Sequence, residues 1–383
     1  MINQPPKKIL FVYYKLFKAG GVTRVLVSLA NELVKKGYDV SILIMINNKN
    51  SFFELDNRVN IIVISSFSHW GFQKINANLD RYLPRLPYKN NIKNYVYDFG
   101  QWELLNKWMN KNGQNYDVII SSWYKLSAQL ALNKKVCGKT IAWEHANFEI
   151  GGKLWKDTLR KHYKNLKSVV CINSNSLEHY ESIHKNSHLI PNLIGNPFES
   201  FDQSFIDQKE NTLIYVGRLD ADKNVGELID IVGDIDLKDF KFKIIGDGPS
   251  KKELENKVKS IEILKEKVQF LGNKSISEIY KELAKSKIFL FSSKTEAFAL
   301  VLVEAMFMGN ALVSYDCKYG PSDIVNKKNG FLIPMNDKNK FIEKLQYLID
   351  NTKELDELCE SSYKESKKWT KEDVLDKWIT ILK

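Results

Sequence analysis

Two carboxylates separated by seven residues, Glu296 and Glu304, point most directly to chemistry. Glu304 falls in an apolar run that predicts a buried helix, where a charge needs a partner. A polar loop joins this helix to a predicted strand at 288–291, and backbone N–H groups at the helix start, near Phe298, favour an anion. Carboxylates can bind the hydroxyls of a sugar nucleotide, and backbone N–H groups can bind its diphosphate. The arrangement therefore suits a sugar nucleotide as the ligand. A surface Glu296 and a salt-bridged Glu304 are the purely structural alternative.

Two cations, Arg218 and Lys223, flank the loop after another predicted strand, at 213–217. A guanidinium fork and an ammonium placed there would stabilise the charge that a diphosphate gathers as it leaves. Asp220 and Asp222 lie between them in a DxD pattern, which binds metal ions in some other proteins. We interpret these aspartates as loop sequence, because the flanking cations already neutralise a diphosphate. The prediction is therefore that the protein uses neither a metal nor another cofactor.

Three positions in the first half of the chain are further candidates. Gly20 and Gly21 follow a predicted strand at 8–13 and open a helix, so a ligand could approach the backbone closely; a plain tight turn explains them equally well. His145 ends another strand, at the edge where parallel sheets bind ligands. A lone histidine is more often structural, but this position favours a functional role.

The order of these motifs resembles the retaining glycosyltransferases of family 4, which have the GT-B fold. The resemblance rests on Glu296 and Glu304, on Gly-Arg-Leu at 217–219 followed by Lys-Asn at 223–224, and on Tyr-Gly-Pro at 319–321. The last motif is similar to a turn in bacterial members that act on cell-surface polymers, including teichoic acids. The sequence departs from the family pattern at Ala297 and Ala299, where glycine is usual, and alanine would be strained there if φ were positive.

The resemblance implies a set of site residues. The donor would be bound by Gly20, Gly21, Arg218, Lys223, Asn273, Glu296, Phe298, Ala299, Leu300 and Glu304, and catalysis would use His145, Glu296, Arg218 and Lys223. It further implies transfer of a hexose or N-acetylhexosamine from a nucleotide sugar, with UDP favoured, to a cell-surface glycan, lipid-linked or teichoic-acid-type acceptor. Two alternatives stay open: a non-catalytic GT-B protein that binds sugar nucleotides or polyanions, and a transferase with a small soluble acceptor.

Strand and helix patterns alternate along the chain, which predicts parallel sheets with helices on both faces. A length of 383 residues allows two or three domains, and a stretch with two prolines and a glycine at 190–198 is the expected boundary. By resemblance, two Rossmann-like domains would face each other across a cleft. Residues 1–191 would bind the acceptor, residues 192–368 the nucleotide, and a helix at 369–383 would cross back to the first domain.

The basic excess is confined to the first half of the chain. Residues 1–200 contain 27 Lys and Arg against 14 Asp and Glu, although the net charge of the whole chain is only +11. This asymmetry indicates an anionic partner, such as a membrane surface or a phosphate-bearing acceptor. Cations and aromatics also mix at 81–89 and at 153–164, where a basic amphipathic helix is expected. No nucleic-acid motif accompanies them, so nucleic acid is not a predicted partner.

The sequence contains no apolar run long enough for a membrane helix and no signal-peptide core. We therefore expect a cytoplasmic protein, with peripheral attachment to the inner face of the cell membrane as an option. The 4 cysteines are scattered, so neither disulfides nor a structural zinc site is expected.

Overall fold

The computed structural model describes residues 5–18, 20–46, 50–64, 78, 81, 89–195 and 197–383. The basic stretch at 81–89 lies almost wholly outside these residues. The chain divides into a first unit, Met1–Ile190 with Trp378–Lys383, and a second unit, Pro191–Lys377. Of the helix that the sequence predicts at 369–383, the part that belongs to the first unit begins at Trp378, nine residues after the predicted start.

The described strands of the first unit form a parallel sheet in the order β3-β2-β1-β4-β5-β6-β7. They are β1 (Lys8–Tyr13), β2 (Asp39–Ile44), β3 (Asn60–Val63), β4 (Val118–Ser121), β5 (Thr140–Glu144), β6 (Ser168–Cys171) and β7 (Ser187–Leu189). The strand order reverses between β1 and β4. In such sheets ligands bind beyond the carboxyl ends of the strands, at this point of reversal.

The second unit repeats this architecture with a parallel sheet in the order β10-β9-β8-β11-β12-β13. Its strands are β8 (Glu210–Val216), β9 (Lys241–Ile245), β10 (Val268–Gly272), β11 (Ser286–Phe291), β12 (Ala311–Asp316) and β13 (Gly330–Pro334). Here the order reverses between β8 and β11. Both sheets have strands that are apolar on both faces, as expected for parallel sheets covered by helices.

Helices connect the strands, as the alternating pattern predicts. The described α-helices are α1 (Gly21–Lys35), α2 (Lys89–Asn112), α3 (Tyr124–Ala131), α4 (Ser174–Glu181), α5 (Val225–Gly233), α6 (Lys251–Ser260), α7 (Ile276–Lys285), α8 (Leu300–Phe307), α9 (Pro321–Ile324), α10 (Lys338–Asp350), α11 (Thr352–Ser366) and α12 (Lys371–Leu382). The helix predicted from about residue 22 to 36 is confirmed as α1, and Gly37, with φ of +89°, follows its end.

The expectation of a basic amphipathic helix at 153–164 is wrong. The segment forms a π turn at Leu154–Thr158 and a 3₁₀ segment at Leu159–Asn165. Arg160 is completely buried, with its guanidinium 4.3 Å from the centre of the Tyr124 ring. Trp155 is also buried, so the segment turns part of its polar face into the core.

Candidate functional site

The reversal point of the second sheet brings together two of the predicted site residues. Lys223 follows β8 and Glu296 follows β11, and these strands are neighbours. The Nζ atom of Lys223 lies 2.5 Å from Oε1 of Glu296, and about four-fifths of each side chain is shielded from solvent. The sequence predicted a phosphate contact for the lysine and a sugar contact for the glutamate. In the ligand-free chain the two side chains instead form an ion pair with each other.

Hydrogen bonds to the backbone join the two loops that carry this pair. The hydroxyl of Ser292 donates to the carbonyl of Lys223 at 2.8 Å. The N–H of Lys294 donates to the carbonyl of Asp222 at 2.8 Å. We refer to residues 220–224 and 292–296, with these contacts, as the joined loops. Ser292 was not singled out from the sequence, because a serine after a strand is too common to carry a signal.

A carboxylate below the joined loops fixes the turn into α5. Asn224 precedes α5 with a left-handed backbone, φ of 54°, and its side-chain amide donates to Glu227. The hydroxyl of Tyr315 donates to the other oxygen of Glu227 at 2.7 Å. Burial, together with this hydrogen bond, raises the pKa of Tyr315 well above its ordinary value, so the hydroxyl remains a donor. Sequence reasoning missed Glu227 and Tyr315, which are far apart in the chain.

Arg218 lies at the rim of the same loop. Its guanidinium is largely exposed and contacts the Asp220 carboxylate at 3.0 Å, while the Tyr215 hydroxyl donates to its carbonyl at 3.1 Å. Asp220 also accepts the backbone N–H of Lys223 at 3.2 Å. One aspartate of the DxD pattern therefore shapes the cationic loop. Among the described residues, no group of three His, Cys, Asp or Glu side chains is placed to hold a metal ion.

The helix that carries Glu304 begins two residues later than predicted, at Leu300 instead of Phe298. The N–H of Leu300 donates to the Phe298 carbonyl at 2.9 Å, so within the free chain this predicted phosphate donor is already engaged. Glu304 lies in the second turn of α8 and is only 5% exposed. The Phe298 ring packs 5.7 Å from that of Trp369.

The two alanines that depart from the family pattern fit their loop without backbone strain. Ala299 has φ of −80°, and neither it nor Ala297 is among the described residues with positive φ. The left-handed conformations occur instead in the neighbouring turn, at Tyr319 with φ of 71° and at Gly320 with φ of 96°. A Cβ atom on Gly320 would lie 3.2 Å from the backbone nitrogen of Ala299. Glycine is therefore required in the turn that supports the loop.

The remaining second-unit candidate, Asn273, is exposed directly after β10. In the first unit, Gly20 and Gly21 precede and open α1. A Cβ atom on Gly21 would meet nothing within 4 Å, and φ of Gly20 is an extended 174°. Folding therefore does not explain either glycine sterically, and close approach of a ligand stays a prediction.

His145 follows β5 and is 8% exposed. Its ring lies 4.2 Å from that of Trp143, and burial lowers the pKa of the imidazole to about 3, so the ring is neutral at physiological pH. Among the described residues its buried Nε2 atom has no hydrogen-bond partner. The preceding residue, Glu144, is in contrast fully satisfied, because the Tyr163 and Tyr180 hydroxyls donate to its two oxygens at 2.7 and 2.8 Å.

Two Rossmann-like units, with charged and polar groups after the strands at which each sheet reverses, define the class of two-domain α/β enzymes with the GT-B fold. The solved structures agree. A crystal structure of Anabaena HepE in complex with UDP has a TM-score of 0.74 to this chain at 16% identity, and 98% of this chain and 99% of that one are covered.

Sequence comparison identifies the family. The model for Glycosyltransferase Family 4 matches residues 19–194, and the model for Glycosyl transferases group 1 matches residues 197–369. The chain belongs to the glycosyltransferase family that these two adjacent models describe, and it is an enzyme of that class.

Several relatives match along almost their whole length, and two of them serve as examples. An uncharacterised glycosyltransferase of Haemophilus influenzae is 28% identical, over 98% of this chain and 100% of that protein. The second is the Campylobacter jejuni GalNAc-α-(1→4)-GalNAc-α-(1→3)-diNAcBac-PP-undecaprenol α-1,4-N-acetyl-D-galactosaminyltransferase. It is 27% identical, over 98% of each chain.

Proposed function

We propose that this glycosyltransferase moves a hexose or N-acetylhexosamine from a UDP-linked donor to a hydroxyl of a cell-surface glycan, lipid-linked or teichoic-acid-type acceptor. The transfer would retain the anomeric configuration and need no metal. The observation that carries the proposal is the 2.5 Å pair of Lys223 and Glu296 at the reversal point of the second sheet. A cation and a carboxylate fixed side by side match the two ends of a sugar diphosphate.

When the donor binds, Lys223 and Glu296 would each give up the contact to the other and contact the donor instead. Its diphosphate takes the ammonium of Lys223 and the guanidinium of Arg218, and its sugar hydroxyls take the carboxylate of Glu296. Glu304, buried in α8 next along the chain, binds the ribose hydroxyls. The cations then stabilise the charge that develops on the leaving diphosphate, which is the largest contribution expected of such a site.

The first unit would bind the acceptor and make one contact to the donor sugar. The unpartnered Nε2 of neutral His145 can accept from, or donate to, a sugar hydroxyl, depending on its tautomer. The acceptor hydroxyl would attack from the side of the leaving group, and a phosphate oxygen would take its proton. The undecaprenol-linked acceptor named for the Campylobacter relative and the UDP bound to HepE support the choice of substrates.

Incubation of the purified full chain with a panel of UDP- and GDP-sugars tests the donor. We expect slow nucleotide release from one UDP-sugar, unchanged by EDTA, and loss of that release in Lys223→Ala. Lys243→Ala is the matched control, because its ammonium pairs with Glu282 at 2.9 Å in the same unit and is similarly shielded. Release from no donor would refute the proposal, and NMR of the product's anomeric proton would decide retention.

Peripheral attachment to a membrane is the second part of the proposal. No described helix is both long and apolar enough to span a bilayer. The basic excess of the first 200 residues would instead attract an anionic surface, and salt would screen the attraction. Flotation with anionic liposomes should therefore succeed at low salt and fail at high salt; equal flotation with neutral liposomes would contradict an electrostatic attachment.

A further inference from the structure

The first unit contains a cavity of about 450 Å³ that none of the predicted site residues lines. It opens where the strand order of the first sheet reverses, between β1 and β4. Tyr13, Tyr14 and Lys15, at and after the end of β1, line it together with Trp123, Tyr124 and Lys125, after β4. This is the position at which parallel α/β sheets bind ligands.

Aromatic rings in contact with one another line the cavity. Tyr14 and Trp123 meet edge to face, with ring centres 6.2 Å apart and planes inclined at 74°. Trp123 also packs on Tyr124 at 5.3 Å. The faces of such rings carry partial negative charge, which attracts the weakly positive C–H groups on the flat side of a pyranose. Burial raises the pKa of the Tyr14 hydroxyl well above its ordinary value, so this wall stays uncharged.

A buried ion pair supplies the polar groups. Asp98 on α2 lines the cavity and is 7% exposed, and its two oxygens lie 2.7 and 3.0 Å from Nζ of Lys125. A carboxylate accepts from adjacent hydroxyls while an ammonium donates, so the pair can bind a sugar diol. Few, well-placed polar groups among aromatic walls are typical of small-ligand sites.

The described lining of the cavity carries little net charge, which suits a neutral ligand better than a polyol phosphate. Asp98 neutralises Lys125, which leaves Lys15 as the cation of the described lining without a carboxylate beside it in the cavity. The start of α3 at Tyr124 favours an anion, but the Asp98 carboxylate lines the same cavity and opposes it. The basic excess of this unit is therefore not concentrated here.

We infer that this cavity binds a neutral pyranose ring of the acceptor, held against the touching rings of Tyr14 and Trp123 with its hydroxyls on Asp98 and Lys125. The inference rests on the proposed function, in that it names the chemical class of the acceptor. It narrows that acceptor to a glycan end and excludes a polyol phosphate as the group that receives the sugar.

The test compares acceptors and variants in the full chain. The acceptors are tagged hexose and N-acetylhexosamine glycosides and, in parallel, ribitol phosphate and glycerol phosphate oligomers. The donor is the nucleotide sugar that the donor panel identifies. We expect transfer to a glycoside only. Trp123→Ala should raise the acceptor KM about tenfold or more, with a smaller change in kcat. Phe99→Ala is the control; it removes an aromatic ring from the same helix as Asp98, is largely exposed and does not line the cavity.

A second measurement is independent of turnover. Saturation-transfer NMR should detect the preferred glycoside on the donor-free chain and on Trp123→Phe, and not on Trp123→Ala. Urea unfolding of each variant checks that the first unit, which contains Trp123, remains folded. Transfer to a polyol phosphate alone, or an acceptor KM and NMR signal unchanged in Trp123→Ala, would overturn the inference. Failure of nucleotide release from every donor, with glycoside binding intact, would instead refute the proposed function, and the cavity would then bind a pyranose that is not an acceptor.

Discussion

The two sheets present opposite chemistry at equivalent places. At the reversal point of the second sheet lies an ion pair, Lys223 with Glu296, on loops tied together through their backbones. At the reversal point of the first sheet lie aromatic rings, with one charge pair, Asp98 and Lys125, set into their edge. The ion pair of the second sheet is suited to a polyanion whose charge changes during a reaction. The aromatic rings of the first sheet are suited to a neutral ring that must be positioned without strong charge.

The difference shows how one architecture can divide the work of a transferase. Charge is useful where charge develops, because fixed cations lower the energy of a leaving diphosphate. Near an attacking hydroxyl, neutral groups position the nucleophile without holding it too tightly. His145, which is neutral and lies next to Trp143 after β5, belongs to the uncharged kind of environment.

The strongest test of the contrast is Lys223→Ala. Loss of a cation from the leaving diphosphate should lower kcat/KM for the donor about a hundredfold or more, since one such donor is worth about 3 kcal/mol. Glu296 would also lose the partner that holds it 2.5 Å away. Steady-state kinetics beside Lys243→Ala would decide; a fall of less than about threefold would place the catalytic charge elsewhere.

The buried imidazole predicts a pH dependence of stability. The pKa of His145 is about 3 in the folded chain and near 6.5 when unfolded, so below pH 6.5 the unfolded chain binds the extra proton. Its contribution is fully present above pH 6.5 and is lost as pH falls toward 3. Between pH 7 and pH 5 the wild type should lose about 2 kcal/mol more unfolding free energy than His145→Asn. Equal losses in urea titrations would contradict a buried neutral imidazole.

Tyr315→Phe tests whether the turn below the joined loops matters. The change removes the 2.7 Å hydrogen bond to Glu227, which is worth about 1.5 kcal/mol, and should loosen the left-handed turn at Asn224. We expect donor kcat/KM to fall about fivefold to tenfold. Tyr347→Phe, which removes a similar hydroxyl-to-carboxylate bond to Glu354, is the control. Equal effects of the two changes would mean general destabilisation.

The smallest expected effect has an unusual sign. In Glu296→Gln the ammonium of Lys223 no longer competes with a carboxylate, so UDP should bind about threefold to fivefold more tightly, as expected for loss of an ion pair worth under 1 kcal/mol. Sugar transfer should nevertheless fall. Calorimetry with UDP measures the first effect, and weaker UDP binding than wild type would show that Glu296 supports the phosphate contact instead of opposing it.

The sequence singled out Lys223 and Glu296 but not the residues that line the first unit's cavity, for a physical reason. Lys223 and Glu296 each fall in a short local pattern, a strand end and a polar loop, that specifies their position. Tyr14, Asp98 and Trp123 converge only through the order of the strands and the placement of α2. A single aromatic in each element looks the same as a core residue until the elements are assembled.

Individual errors have equally local causes. The cations and aromatics at 153–164 predicted a basic amphipathic helix, whereas the segment is a π turn followed by a 3₁₀ segment in which Arg160 and Trp155 are buried. The start of α8 was predicted near Phe298 and lies at Leu300. Helix and strand existence was predictable from periodicity, whereas terminal residues depend on tertiary contacts.

The bonds from Ser292 to Lys223 and from Lys294 to Asp222 also limit how this enzyme could change its substrate during evolution. Because these bonds join the two loops, a substitution that shifts one loop also moves the other. The preference for the nucleotide and the preference for the sugar therefore cannot evolve independently. Engineering a new donor would require both segments to be exchanged together, as a cassette.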